Sequence, residues 1–300
     1  MNPFLERIGK SSADGYFLVS AAPVEREDNP NHLVLDPSAL LPGAKQVLLL
    51  FYRYGMDEKL APEGSIPLSN YYKASNKGYF DAKAVAEEIT RLGVLARHTF
   101  EVPLKHLALR GGGFLGKNGF YYHPKFGSLI HIQGILLAEK IGEESAKTDA
   151  TPCPEHCQIC LCVCPLGALG EDGRLDISRC LRYHMLDNQM EEKYMAQIYQ
   201  ILGCEQCQTC CPKNQLGFAD PKKVYPLREI LEGSCIKALR QTAGKNFAKP
   251  ANLKNQAIAY LANTGGQVED DTLQALHQLE GQEVHHKFLE FWRKKGRDRG

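Results

Sequence analysis

All eleven cysteines of this chain lie between Cys153 and Cys235, and residues 1–152 contain none. Thiols crowded into one segment are either disulfide partners or metal ligands. The amino terminus, MNPFLERIGKSS, lacks the basic-then-apolar pattern of a secretory signal, so a cytoplasmic setting and metal binding are expected. The first block reads Cys153-Pro-Glu-His-Cys157-Gln-Ile-Cys160-Leu-Cys162-Val-Cys164-Pro165. It is a variant of the bacterial ferredoxin run with one extra residue between the first two cysteines. In that run three thiolates on a tight loop reach three corners of one iron–sulfur cube. The fourth cysteine, just before proline, ligates the other cube. The second block, Cys204-Glu-Gln-Cys207-Gln-Thr-Cys210-Cys211-Pro212, again closes on Cys-Pro, and Cys180 stands alone between the two.

The crossing rule predicts two 4Fe–4S clusters. Cluster one takes Cys153, Cys157, Cys160 and Cys211; cluster two takes Cys164, Cys180, Cys204 and Cys207. Cys162, Cys210 and Cys235 are left over, expected to pack as small apolar groups, with Cys210 the first substitute because it neighbours a ligand. Two zinc sites of four cysteines each are the competing reading. The paired Cys-Pro endings and the three-cysteine loop favour iron–sulfur. Two neighbouring clusters make a wire, so a further centre must receive the electrons.

The rest of the chain must position these groups. Apolar residues make up 43% and charged residues 24%, with a formal net charge of +1, so no global charge draws the chain to nucleic acid or membrane. The apolar runs, such as Val47–Phe51, are strand-sized, and no membrane span is expected. Residues 1–150 read as an α/β unit. Within it a buried strand covers 45–51 after the Leu41-Pro42-Gly43 turn, helices cover 79–92 and 104–110, and a second strand covers 128–137. An acidic stretch, 139–152, reads as a linker into the cysteine region at 151–214. From 215 to 300 the pattern is helical, with segments at 236–244, 253–263 and 271–279 suggesting HEAT-like pairs, then a short basic tail, FWRKKGRDRG. The expected fold class is therefore α+β or α/β, with a ferredoxin-like double-cluster segment and HEAT-like helices.

Several strings resemble the epoxyqueuosine reductases, cobalamin-dependent iron–sulfur enzymes of tRNA modification. They are LLPGAKQVLLLFY (40–52), PLKHLALRGGGFLGKNGFYYHPKFGS (103–128), CPLGAL (164–169), LDISRCLRY (175–183) and GCEQCQTCCPKN (203–214). The sixteen-residue step from Cys164 to Cys180 fits as well. The resemblance implies a corrinoid between the amino-terminal domain and the cluster domain, with Gly116, Lys117, Asn118, Gly127 and Ser128 lining it. Glycines permit close backbone approach, and Lys, Asn and Ser offer donors to the corrin amides; the alternative is that they are ordinary turn residues. It also implies an anticodon-loop substrate and an external electron donor such as ferredoxin or flavodoxin.

One departure concerns the proton donor. The family's catalytic aspartate, three residues before the proline matching Pro103, is Phe100 in this chain. Glu101, one residue on and on the opposite face of a regular strand, and His98, two residues back, are the candidate acids, with Tyr121 and Tyr122 further candidates. For tRNA, the candidates are Trp292 with Arg293, Lys294, Lys295, Arg297 and Arg299, together with Lys222, Lys223 and Arg240. Three functions compete: an epoxyqueuosine reductase, a corrinoid reductase of a small molecule or a corrinoid partner, and a non-enzymatic electron carrier. The missing aspartate favours the second; the extent of the resemblance favours the first.

Overall fold

A computed structural model describes residues 2–25, 32–56, 61–171, 173–214, 218, 220–265 and 268–297. In chain order its first part forms α1 (Pro3–Gly9), β1 (Gly15–Ser20), β2 (Gln46–Arg53), β3 (Ser65–Pro67), α2 (Asn70–Arg91) and β4 (Ala96–Thr99). There follow α3 (Leu104–Ala108), β5 (Phe114–Leu115), β6 (Tyr121–Tyr122) and β7 (Ile130–Leu137). The cysteine region holds short helices, α4 (Ile159–Cys162), α5 (Leu181–His184), α6 (Glu192–Met195) and α7 (Gln206–Thr209). The last part comprises β8 (Val224–Pro226), α8 (Leu227–Glu232), α9 (Ile236–Ala243), α10 (Pro250–Thr264), α11 (Asp270–His277) and α12 (Glu283–Arg297). Packing groups these residues into two compact units, one of residues 1–54, 74–157 and 212–216, the other of 55–73, 158–211 and 217–300.

The first unit is built on a sheet of order β1-β2-β7-β4 in which every pairing is antiparallel. Its central strand β2 is apolar along its length because both its faces are covered. Val47, Leu49 and Phe51 pack with Leu107, Tyr121 and Phe126 on one side; Leu48, Leu50 and Tyr52 pack with Ala82, Val85 and Ile89 of α2 on the other. The helix expected over 79–92 starts nine residues earlier, at Asn70. Its first turns carry few apolar residues at helical spacing and include Gly78, which hides them from a periodicity reading. Gly78 is there for space: a Cβ would stand 2.8 Å from the Tyr52 ring, whose hydroxyl donates to Asp81 at 2.9 Å. The acidic stretch 139–152 is no free linker. Ser145 exchanges bonds with Leu18, its amide donating to the Leu18 carbonyl at 2.8 Å, and Thr148 bridges to Gly112.

In the second unit one apolar core runs from Leu181 and Met185 through Met195 and Ile201 into α8, α10 and α12. The cysteine region and the helices after it therefore share a core, because the short α5 and α6 have too few apolar side chains to bury one themselves. α10 also supplies polar staples. Gln256 donates to the Met185 carbonyl at 2.7 Å and accepts from the Leu202 amide at 2.8 Å; Asn263 donates to the carbonyls of Met195 and Ile198 at 2.8 and 2.9 Å. Leu202 and Gly203 both take left-handed backbone (φ 53° and 90°) immediately before Cys204. A non-glycine in that region persists only where its surroundings fix it, as the Gln256 bond and full burial of Leu202 do here. The basic tail is another correction: residues 283–297 form α12, whose Phe288, Leu289 and Phe291 are buried.

Candidate functional site

Cluster two's four expected ligands arrive on separate pieces of the second unit. Cys164 follows α4, Cys180 is the extended residue capping α5, and Cys204 and Cys207 flank the start of α7. The structure brings them together. Burial pushes the Cys204 thiol up to about 11, with Cys180 and Cys164 adding repulsion; burial also pushes Cys207 up, with repulsion from Cys204, Cys164, Cys180 and Cys160. Desolvated beside these neighbours, Cys204 and Cys207 hold their protons until a cationic core takes their negative charge, which is the chemistry of a thiolate-ligated metal centre. Among the described residues no three His, Cys, Asp or Glu side chains converge as on a single ion. A cubane spreads its four thiolates over the corners of a cube, so the donor set fits a 4Fe–4S cluster.

One of these sulfurs also receives a hydrogen bond. The Ala168 amide donates to Cys164 Sγ at 3.2 Å. Near Cys204, the Tyr199 hydroxyl accepts the Glu205 amide at 2.7 Å. Behind this, Glu205 is a buried carboxylate. Its Oε1 accepts Ser69 Oγ at 2.6 Å, its Oε2 faces Lys222 Nζ at 3.3 Å, and that ammonium donates to Gln200 at 2.6 Å. Sequence reading missed Tyr199 and Glu205; their one signal is position, beside and between cluster ligands.

Of cluster one's expected ligands, Cys153 and Cys157 belong to the first unit and Cys160 and Cys211 to the second. Among the spare cysteines, Cys235 is buried in the core and Cys210 is half-buried, its Sγ 3.7 Å from the Cys207 carbonyl. Cys162 is exposed, against the expectation that it packs as an apolar group, because the single turn of α4 leaves its outer side uncovered.

The expected corrin-lining residues lie in the first unit. Gly116, Lys117 and Asn118 make the turn of the β5–β6 hairpin, where the Gly116 amide donates to the Phe120 carbonyl at 2.9 Å. Asn118 is buried and donates to the Tyr122 hydroxyl at 2.9 Å, while its own oxygen accepts the Phe120 amide. Buried Ser128 is clamped by Asn214: its amide donates to Asn214 Oδ1 and its hydroxyl accepts Asn214 Nδ2, both at 2.8 Å. Gly127, at φ 66°, leaves room for Asn214, whose Oδ1 would be 2.5 Å from an added Cβ. Lys117 donates to the Glu155 carbonyl. Asn118 and Ser128 are thus both bonded to neighbouring side chains of the protein. The hairpin turn does offer approach: nothing lies within 4 Å of where a Cβ of Gly119 would be.

The candidate acids part company. β4 ends at Thr99, so residues 100 and 101 lie on a bend where strand alternation no longer applies, and Phe100 is 65% exposed. Glu101 is exposed, its carboxylate accepting Arg97 at 3.1 Å and Thr99 Oγ1 at 3.3 Å. His98 is half-buried against Tyr79, with Nε2 2.6 Å from Gln133 Oε1, and Gln133 in turn bonds His131. Burial lowers the His98 pKa, with Lys83 adding to the effect against the Gln133 bond. Tyr121 and Tyr122 are buried; Tyr121 donates to the Gly112 carbonyl at 3.0 Å.

Of the basic residues, Lys222 is 16% exposed and committed to Glu205 and Gln200. Lys223 reaches Thr242, Arg293 pairs with Glu280 and Lys294 with Glu192, while Arg240 is exposed. Lys295 sits 5.9 Å from the Phe291 ring and Trp292 packs against the core. The Arg297 side chain and Arg299 lie outside the described residues.

Residues 153–214 match the family model for a 4Fe-4S double cluster binding domain. The epoxyqueuosine reductase of Synechococcus sp. (strain RCC307) is 28% identical over 211 residues, 65% of this chain and 63% of that protein. The structure of epoxyqueuosine reductase from Streptococcus thermophilus superposes with a TM-score of 0.74 at 21% identity, covering 96% of this chain and 88% of that one. By sequence and by fold, this chain is similar to epoxyqueuosine reductases. A third match, at TM-score 0.74 and 18% identity over 96% of this chain and 87% of the other, is an epoxyqueuosine reductase with an epoxyqueuosine-modified tRNA stem loop. At these identities the structures show that this chain has the epoxyqueuosine reductase fold, and the matched part spans less than two thirds of the Synechococcus relative. No helix among the described residues is long and apolar enough to cross a membrane.

Proposed function

We propose that this chain is an iron–sulfur, cobalamin-dependent reductase that converts epoxyqueuosine to queuosine in tRNA. The observation that carries the reading is the convergence of Cys164, Cys180, Cys204 and Cys207 inside a segment matching a double-cluster domain, in a chain with the epoxyqueuosine reductase fold. Clusters held by these cysteines, and by Cys153, Cys157, Cys160 and Cys211, would pass electrons singly from an external donor such as a ferredoxin or flavodoxin. Cobalamin, when bound, supplies a low-valent cobalt able to reduce or attack the substrate. Gly116, Lys117, Asn118, Gly127 and Ser128 would meet it, with Gly119 beside them open to approach.

Removing an epoxide oxygen as water also requires protons. His98 and Glu101 remain the proposed sources. The hydrogen bond from His98 Nε2 to Gln133 Oε1 keeps a proton on that nitrogen, whereas Glu101 is held next to the Arg97 guanidinium. The test is turnover of an epoxyqueuosine-containing stem-loop by anaerobically prepared protein with cobalamin and a strong reductant, read by nucleoside analysis. Queuosine formation that falls at least tenfold in the Glu101→Gln or His98→Gln variant names the donor. No queuosine from protein with full iron and bound cobalamin refutes the substrate. In that event the second reading, a corrinoid reductase acting on a small molecule or a corrinoid partner, takes its place; the observation favouring it is exposed Phe100 where the family carries its acid. Gain of activity in Phe100→Asp would show that only the acid had been lost.

A further inference from the structure

Cys180 has no second cysteine in its own loop to hold it, so other residues must aim its sulfur. It follows a single 3-10 turn, Ile177–Arg179, and that turn is pinned from two sides. Asp176 Oδ1 accepts the Ser178 amide at 3.0 Å and the Ser178 hydroxyl at 2.6 Å. The Ser178 carbonyl, two residues before Cys180, accepts the Tyr194 hydroxyl at 2.8 Å and meets His184 Nε2 at 2.7 Å. Only a donor can face a carbonyl oxygen, so Nε2 carries a proton. Side chains thus fill both lone pairs of that oxygen.

Both donors are themselves fixed. Their rings stack with centroids 3.7 Å apart and planes 23° from parallel. Tyr194 is 3% exposed in the core of the second unit, and Asn263 of α10 holds the next residue of α6 by the Met195 carbonyl at 2.8 Å. The hydrogen bonds also continue to another ligand. The Asp176 amide donates to the Ala168 carbonyl at 2.8 Å, and the Ala168 amide donates to Cys164 Sγ at 3.2 Å. Arg179 lies over Gly167, left-handed at φ 56°, with its guanidinium 2.9 Å from where a Cβ would stand. The turns carrying Cys164 and Cys180 are therefore tied to one another, and Tyr194 and His184 anchor the pair to the core.

We propose that Tyr194 and His184 are positioning residues for Cys180, holding the Ser178 carbonyl so that the Cys180 sulfur meets its iron in the cluster shared with Cys164, Cys204 and Cys207. The inference rests on that ligand set. Groups behind a metal ligand set its direction, and their loss weakens metal binding about tenfold or more. Without this clamp the sulfur is free to leave its place, and the iron of cluster two is the first to go.

The experiment follows iron leaving full-length, anaerobically reconstituted protein for an excess of a ferrous chelator. Electron paramagnetic resonance of the dithionite-reduced protein identifies the cluster that remains. Tyr194→Phe keeps the ring stack and removes one donor; His184→Ala removes the other. In each, the half of the iron belonging to one cluster should leave about tenfold faster, and the other half at the wild-type rate. A variant that loads only that other half from the start supports the proposal equally. His184→Gln, whose amide can donate to the same carbonyl, should restore the wild-type rate. Tyr225→Phe loses a tyrosine hydroxyl elsewhere in the unit, bonded to Thr242 at 3.2 Å, and should change nothing. Wild-type release from fully loaded Tyr194→Phe and His184→Ala would overturn the proposal. Equal acceleration of both halves would overturn it too, leaving the pair as general support for the fold. Cys180→Ala is run beside them: should it keep about eight iron, the ligand set fails and not the clamp.

Discussion

Cys180→Ala is the perturbation that separates the crossed ligand scheme from its rivals. Cys180 is the one expected ligand outside the two cysteine blocks, an extended residue (φ −75°, ψ 120°) between a single 3-10 turn and α5. Its thiol is near enough to raise the pKa of both Cys204 and Cys207. A cubane takes one thiolate per iron, so loss of this sulfur should take wild-type loading of about eight iron per chain to about four, all in cluster one. The fold should survive, because trimming a half-buried sulfur costs only about 1 kcal/mol. Anaerobic reconstitution followed by iron and sulfide analysis gives the count, and electron paramagnetic resonance of the reduced protein shows whether one signal or two remain. Cys162→Ala and Cys235→Ala, at the exposed and core positions, should keep all eight. Cys210, beside Cys211 and against the Cys207 carbonyl, is the sulfur placed to stand in. Hence Cys180→Ala is also made with Cys210→Ala. Eight iron in both the single and the double variant would refute the assignment of Cys180.

Three further measurements bear on the scaffold. Asn214→Ala removes two 2.8 Å bonds to buried Ser128 and should lower unfolding stability by about 2–3 kcal/mol in a urea titration. Gly78→Ala sets a methyl 2.8 Å from the Tyr52 ring; overpacking outweighs the gain in helix propensity, for a net loss of about 1 kcal/mol, and a more stable variant would show the ring free to retreat. His123, stacked between Phe17 and Phe126, has its pKa lowered from 6.5 to about 4 by burial, with Lys125 adding to the effect. The unfolded chain therefore takes up this proton first. The contribution is complete above pH 6.5 and is lost as pH falls toward 4, amounting to about 1 kcal/mol by pH 5.5. His123→Asn, which still offers an acceptor to the Lys125 amide, should lose less stability than wild type between pH 7.5 and 5.5; equal losses would place the proton elsewhere.

The double-cluster segment could be read from the chain because covalent spacing limits which sulfurs reach one cube. β2 and β7 were equally plain, since strands covered on both faces must be apolar throughout. β1 was not foreseen, because one of its faces is only half-covered and its pattern is weak. The partners that Asn118 and Ser128 take in the fold were not legible. The donors that would suit a corrin amide suit a neighbouring hydroxyl or amide equally well, and spacing does not say which partner is nearer. α12 was obscured by charge: its lysines and arginines dominate the string, while Phe288 and Phe291, three residues apart, do the packing. Tyr199 was beyond a linear reading and Lys222 was read as a tRNA contact, because their partners lie across a loop shaped by the left-handed Leu202–Gly203 pair.

The exposed thiol of Cys162 gives the chain a native attachment point. With the ligand sulfurs engaged by iron, Cys210 half-buried and Cys235 shut in the core, a maleimide reagent meets Cys162 first. A spin label or fluorophore fixed there stands two residues from Cys160 and from Cys164, so its relaxation or quenching would report the charge state of the iron without any engineered cysteine.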